Sequence, residues 1–226
     1  MKTIQVKAII VGAMLLGSSA MAGNYNFTFN NGFNNGGVVP DGSPIGLPIT
    51  TNLTGMSGPI SSLTMSLNVS GGYNGDLYAY LAGPNGGFAV LLNRVGVSGS
   101  ATMFGYSDAG LNVTFSDAAA NDIHFYQNVG GYDITSGTAA WQPDGRNLDP
   151  QSDPNLISSA PQTALLNSFA GQNPNGTWTL YLADVSSGGH STLNSWGLDI
   201  TTVPEPSALG LIGLGLGILL IHRRRC

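Results

Sequence analysis

The sequence predicts an all-β domain, an antiparallel sandwich or barrel, bracketed by two short segments of different character. Three observations lead there. Apolar and polar residues alternate with period two in many short runs between Gly23 and Val203, the pattern of strands with one face on a core. Gly- and Asn-rich turns separate those runs. Charge is distributed unevenly: the interior carries two arginines against eleven aspartates, a net of −9, while the remaining five basic residues lie at the two ends.

Residues 1–22 read as a secretory signal. Lys2 and Lys7 form a positive start, Ala8 to Gly17 is an apolar run, and Ala20 and Ala22 put small residues at the −3 and −1 positions of a cleavage site. The mature chain is then expected to begin at Gly23.

The middle segment, 23–203, supplies the strands. Tyr25, Phe27 and Phe29 alternate with Asn and Thr. Leu63, Met65, Leu67 and Val69 alternate with Thr64, Ser66 and Asn68. Leu77, Ala79 and Leu81 face one way, and Tyr78 and Tyr80 the other. Leu111, Val113 and Phe115 continue the pattern. Trp178, Leu180 and Leu182 oppose Thr179 and Tyr181, and Trp196, Leu198 and Ile200 oppose Gly197 and Asp199. The turns are Gly71 to Asp76, Gly83 to Gly87, Asn175-Gly176 and Ser186 to Gly189. One stretch, Gln162 to Ala170, has helical spacing, with Leu165, Leu166 and Phe169 on one face after Pro161. Many short strands with glycine-rich turns leave no room for βαβ units, and this excludes a nucleotide-binding Rossmann or P-loop domain.

Composition excludes other classes. Charged residues make up 8 % of the chain and the net charge is −5, whereas soluble domains carry about 25 % charge. This is neither an ordinary cytosolic enzyme composition nor that of a nucleic-acid binder. A single cysteine, Cys226, excludes an intrachain disulfide framework.

Residues 204–226 form a tripartite tail: Pro204-Glu205-Pro206, an uncharged stretch from Ala208 to Ile221, and Arg223-Arg224-Arg225. Fourteen apolar residues make about 21 Å of helix at ~1.5 Å each, a minimal span against a bilayer core about 30 Å thick. The arginines are expected on the cytoplasmic side. This ending resembles the PEP-CTERM sorting signal of Gram-negative bacteria. The resemblance implies passage through the secretion machinery, a transient inner-membrane anchor, processing near Pro204 to Pro206 by an exosortase, and delivery to the cell surface or beyond, in bacteria that make exopolysaccharide.

The last two strands carry a second resemblance. Asn173-Pro174-Asn175-Gly176-Thr177-Trp178-Thr179-Leu180, through Asp184 to Leu193-Asn194-Ser195-Trp196-Gly197-Leu198, is similar to the end of the P domain (Homo B) that follows the catalytic domain of subtilisin-like proprotein convertases. Ile60-Ser61-Ser62-Leu63, Gly75-Asp76-Leu77, Gly83-Pro84-Asn85-Gly86, Phe115-Ser116-Asp117-Ala118-Ala119 and Leu166 to Gly171 fit the same family in order. The resemblance implies a jelly-roll β-sandwich. At Gly188-Gly189-His190 the sequence departs from it, because the family often has Gly-Asp there.

The protease's activity does not come with the domain. A serine hydrolase needs nucleophile, base and acid. The mature histidines are His124 and His190, and no Gly-x-Ser-x-Gly elbow is present. Alternation within Ile123-His124-Phe125-Tyr126 predicts a solvent-facing strand histidine, and His190 reads as a loop residue. Calcium is the metal the sequence favours, since its loops are rich in Asp and Asn oxygens. Asp117, Asp122 and Asp184 are the expected ligands, if they converge; the competing reading makes these aspartates turn residues bonded to their own backbone. Asp144, Asp149 and Asp153 fall close together in a further loop. Tyr78, Tyr80 and Tyr181, on polar strand faces, are placed either to stack on sugar rings or to cover the second sheet face. Trp178 and Trp196 are expected in the core.

The functional expectation is a non-enzymatic, exported surface or matrix protein that binds exopolysaccharide or another surface protein. The alternative is a stand-alone accessory domain that stabilises a separate subtilisin-like protease.

Overall fold

The structure, a computed structural model, describes residues 22–203. Nine strands form two sheets: β1 (Gly23–Phe29), β2 (Ser43–Leu53), β3 (Ile60–Gly71), β4 (Leu77–Ala82), β5 (Phe88–Asn93), β6 (Leu111–Phe115), β7 (Ala140–Trp141), β8 (Gly176–Asp184) and β9 (Ser191–Thr202). One sheet has the order β1-β9-β3-β6-β7 and the other β2-β8-β4-β5. All pairs are antiparallel except β6 with β7. Successive strands from β1 to β6, and again β8 and β9, alternate between the sheets or return as a hairpin, the double Greek-key order of a jelly roll, with β7 added at one edge. The all-β sandwich expected from alternation is the architecture observed. The expected signal peptide up to Met21, the apolar tail and Pro204 to Arg225 lie outside the described residues.

The core is the set of inward positions that alternation marks. Leu77, Ala79 and Leu81 of β4 and Trp178, Leu180 and Leu182 of β8 are fully buried. They meet Met65 and Leu67 of β3 and Trp196, Leu198 and Ile200 of β9 across the sandwich. Trp178 donates its indole N–H to the Pro174 carbonyl at 2.8 Å, and Trp196 stacks on Phe29 with ring centroids 4.5 Å apart. Trp141 is also buried.

Two expectations are corrected. Gln162 to Ala170 does not form a helix; only Leu166–Phe169 makes a single 3-10 turn. The N–H groups that a helix would use are bonded elsewhere. Thr163 and Ala164 donate to the Gly145 carbonyl, and Leu166 and Asn167 donate to the Asp117 carboxylate at 3.1 and 2.6 Å. The α-helix among the described residues is instead α1 (Pro154–Ile157), capped by Asp153, which accepts from the Asn155 N–H.

His124 is the second correction. It is not a solvent-facing strand residue but is fully buried in a 3-10 segment, Ile123–Asn128. Asp122 caps that segment, its carboxylate accepting from the His124 N–H at 2.8 Å. The cap turns the chain into a helical path, so the period-two reading of Ile123 to Tyr126 fails.

Candidate functional site

The three expected calcium ligands do not come together: Asp117 and Asp122 are committed to other partners, and Asp184 stands apart from both. Asp117 accepts the two N–H groups at the start of the 166–169 turn. Asp122 pairs with the Arg146 guanidinium at 2.8 Å. Asp184 lies fully buried at the far end of β8. Among the described residues no three His, Cys, Asp or Glu side chains are grouped to hold a metal ion. The further aspartates of the 144–153 loop also divide: Asp149 accepts from the Gln151 N–H, Asp153 caps α1, and Asp144 is buried.

Asp144 belongs to a network that resembles a catalytic dyad in outline. His124 Nδ1 lies 2.7 Å from Asp144 Oδ2, and Arg146 reaches Asp144 Oδ1 at 3.2 Å as well as Asp122. The other imidazole nitrogen, Nε2, is 3.0 Å from the Val97 carbonyl. A carbonyl only accepts, so Nε2 carries a proton directed at the backbone. With the ring wholly enclosed, the arrangement pins the 122–128, 142–146 and 97 segments to one another. Burial pulls the Arg146 pKa down, but Asp122 and Asp144 more than offset it and the net direction is up.

The tyrosine face resolves in favour of covering. Tyr80 and Tyr181 stack on each other, with centroids 4.8 Å apart and 15° between planes. Tyr78 packs edge-on to both, and Phe88 lies against Tyr80 at 5.1 Å. The Tyr181 hydroxyl donates to the Pro44 carbonyl. Burial pushes Tyr78 up to about 12. The ring faces that a sugar would use are turned to neighbouring rings.

Free aromatic faces are found at one end of the sandwich. Three connections meet there: residues 72–76 between β3 and β4, 103–107 between β5 and β6, and 185–190 between β8 and β9. They enclose a pocket of about 310 Å³ lined by Tyr73, Asp76, Phe104, Tyr106, Ser107 and Ser186 among others. Tyr73 is 44 % and Phe104 66 % exposed, while Asp76 at the floor is 5 % exposed.

Local sequence explains why these segments meet. The Gly75 N–H donates to the Tyr106 carbonyl at 2.8 Å. A Cβ at Gly75 would collide with the Phe104 carbonyl, so only glycine lets the two loops approach this closely. Arg94 then ties both together, its Nη2 donating to the Met103 carbonyl at 2.6 Å and its Nε to Gly75 at 3.4 Å. The Val185 N–H donates to the Asp76 carbonyl at 2.9 Å.

The electrostatics are acidic. Burial raises the pKa of Asp76, Asp41 raises it further, and Arg94 and Ser186 act in the opposite direction. Burial pushes Asp184 up to about 6, with added repulsion from Asp76 and Asp41. Asp41 itself accepts from the Gly188 N–H at 3.2 Å. The site therefore combines two exposed aromatic plates, a shielded carboxylate and serine hydroxyls, a set suited to a polar ligand with an apolar face. A second hollow, about 230 Å³ between β3 and the 166–170 turn, is mostly apolar, and its one carboxylate, Asp117, is already bonded.

The pocket residues escaped sequence reasoning. Tyr73 and Phe104 stand in loops without periodicity, about thirty residues apart. The signal that was available is Arg94, one of only two arginines between Gly23 and Val203.

Comparison with known proteins bears on the chain in parts. Among curated protein sequences no significant match is found. Among solved structures, the serine protease of Aeromonas sobria in complex with its chaperone aligns with 82 % of this chain and 28 % of its own, at 14 % identity and a TM-score of 0.45. A second structure, of the serine protease of Aeromonas sobria, aligns with 81 % of this chain and 27 % of its own, with the same identity and score. The chain thus spans little more than a quarter of the proteins it aligns with. Two family models match: the proprotein convertase P-domain over residues 149–200 and the PEP-CTERM protein-sorting motif over 202–225. The chain therefore carries a P-domain segment joined to a PEP-CTERM sorting motif, and the motif marks it as an exported, exosortase-targeted protein.

Proposed function

We propose that the protein is a non-enzymatic component of the cell surface or extracellular matrix that binds exopolysaccharide through the pocket at the end of the sandwich. The observation that carries this reading is the pairing of exposed Tyr73 and Phe104 with the shielded Asp76 carboxylate. Sugar rings have apolar C–H faces that pack on aromatic plates, and hydroxyls that donate to a carboxylate or exchange hydrogen bonds with serines. The buried His124, with Nε2 on a backbone carbonyl, supports a structural rather than a chemical role for the one acid–imidazole pair.

The test is binding of the exported protein to exopolysaccharide from the same organism's cultures. Phe104→Ala and Tyr73→Ala should each weaken it at least tenfold, about 1.4 kcal/mol, without changing the melting temperature. Wild-type protein that ignores the polysaccharide refutes the reading.

The P-domain match over 149–200 favours one second reading, an accessory domain that stabilises a separate subtilisin-like protease. Co-purification of such a protease with the exported protein, insensitive to Phe104→Ala, would favour it.

A further inference from the structure

Behind the pocket lies a second arrangement of groups, which shares Asp76 with it. Three side-chain oxygens there are sealed from solvent and lack a hydrogen-bond partner: Asn74 Oδ1, Asp184 Oδ2 and Ser191 Oγ. They come from the two crossovers that close this end of the sandwich. Strand register holds the crossovers side by side, with Leu77 opposite Asp184 and Gly71 opposite Ser191. Alternation along β8 aims Asp184 inward with Leu180 and Leu182, and all three are fully buried. Ser191 Oγ faces Gly72, where a Cβ would collide with it.

A buried carboxylate oxygen without a donor is costly. Here it is set beside further carboxylates: Asp76 and Asp41 both act on Asp184 as repelling charges. The opposing charge is small. Arg94 acts on Asp76, but its N–H groups are directed to the Gly75 and Met103 carbonyls. His190, exposed in the 185–190 loop, acts on Asp184. Three carboxylates against one guanidinium leave two negative charges at this end.

We infer that the end of the sandwich holds a calcium ion, with Asp184 and Asp76 as anionic ligands and the neutral oxygens of Ser191 and Asn74 in the remaining shell. Calcium takes six to eight hard oxygen ligands in a flexible geometry and tolerates carboxylate, amide and water oxygens together. The absence of sulfur and imidazole from this ligand set argues against zinc or copper. Because no three acidic or imidazole side chains are grouped as a metal centre among the described residues, the shell depends on neutral oxygens and water, and Asp41 contributes charge from outside it. Bound calcium would join the β3–β4 and β8–β9 crossovers and give the Asp184 oxygen a partner.

The test uses the full chain purified in detergent and stripped with chelator. Terbium is the probe, since it takes calcium sites and its emission is sensitised by nearby tyrosines such as Tyr73 and Tyr106. The expected result is saturable emission at one ion per chain, displaced by calcium, and a calcium-induced rise in Tm of about 5–10 °C at a hundredfold excess over Kd, beyond that of matched NaCl. Asp184→Asn should abolish both effects while melting at or above the calcium-free wild type, because it removes a buried charge. That opposite sign separates loss of a site from failure to fold. Asp199→Asn, on the outer face of β9 and away from this end, should keep both effects. Absence of terbium uptake by the wild type, or a calcium response that survives in Asp184→Asn, overturns the inference and assigns the orphan oxygens to buried water.

Discussion

Asp144 offers the sharpest test of how the sandwich holds its loops. Its carboxylate is fully buried and accepts from three donors at once: His124 Nδ1 at 2.7 Å, Arg146 Nη1 at 3.2 Å and the Asn93 N–H at 3.2 Å. Asp144→Asn keeps the volume but removes the charge. The Arg146 guanidinium is then left with Asp122 alone, and His124 Nδ1 loses its anionic partner. Breaking one member of a buried ion pair costs about 3–5 kcal/mol. At ~2–4 °C per kcal/mol for a chain of this size, the melting temperature should fall by roughly 6–20 °C. Circular dichroism melts and urea titration with tryptophan fluorescence both read this. The paired change His124→Phe with Asp144→Leu should cost less than the sum of the single changes, because neither member of the pair is then left without the other. An Asp144→Asn variant that melts within about 2 °C of wild type, or a pair whose costs simply add, would show that the network contributes little.

Three further outcomes follow from the structure. Trp178→Ala should cost about 3–5 kcal/mol, as the ring is fully buried and packs on Phe169 at 5.1 Å; an unchanged urea midpoint would contradict that placement. In calcium-free buffer Asp184, raised from 3.8 to about 6 chiefly by burial, contributes stability that is fully present below the lower value and lost as pH rises through the upper one. The Tm of Asp184→Asn relative to wild type should therefore climb between about pH 4 and pH 7, and a flat difference refutes it. Intact mass of the exported form should begin at Gly23 and end between Val203 and Pro206, and retention of Arg223 to Arg225 would refute exosortase processing.

Legibility in the sequence depended on burial of one face rather than two. β3, β4, β6, β8 and β9 each have a polar outer face, and their alternation could be read directly. β5 is buried on both sides: Ala89, Val90, Leu91 and Leu92 are all fully enclosed, because the 142–146 and 162–164 segments cover its outer side and bond to it. No period survives in such a strand. β2 contains Pro44, Gly46 and Pro48, which interrupt any alternation, yet it forms an edge of its sheet with a register shift between Ser43 and Leu47, where proline and bulges are tolerated. At His124 the Asp122 cap outweighs a four-residue alternation. The pocket stayed hidden for a different reason: Tyr73, Asp76 and Phe104 meet only through crossovers between sheets, and local pattern carries no information about which loops share an end.

The register of β1 on β9 fixes which pole of the sandwich carries the pocket. Gly23 lies opposite Thr202, so the first strand begins and the last strand ends at a single corner. β9 runs away from that corner for twelve residues to Ser191, about 40 Å at ~3.4 Å per residue, and Ser191 sits at the end that carries the pocket. Tyr73 and Phe104 therefore lie at the pole of the sandwich opposite that corner. Cleavage near Pro204 to Pro206 would fall outside the sheet, and a load applied through the end of β9 would pull it lengthwise between β1 and β3, shearing two ladders together instead of peeling one bond at a time.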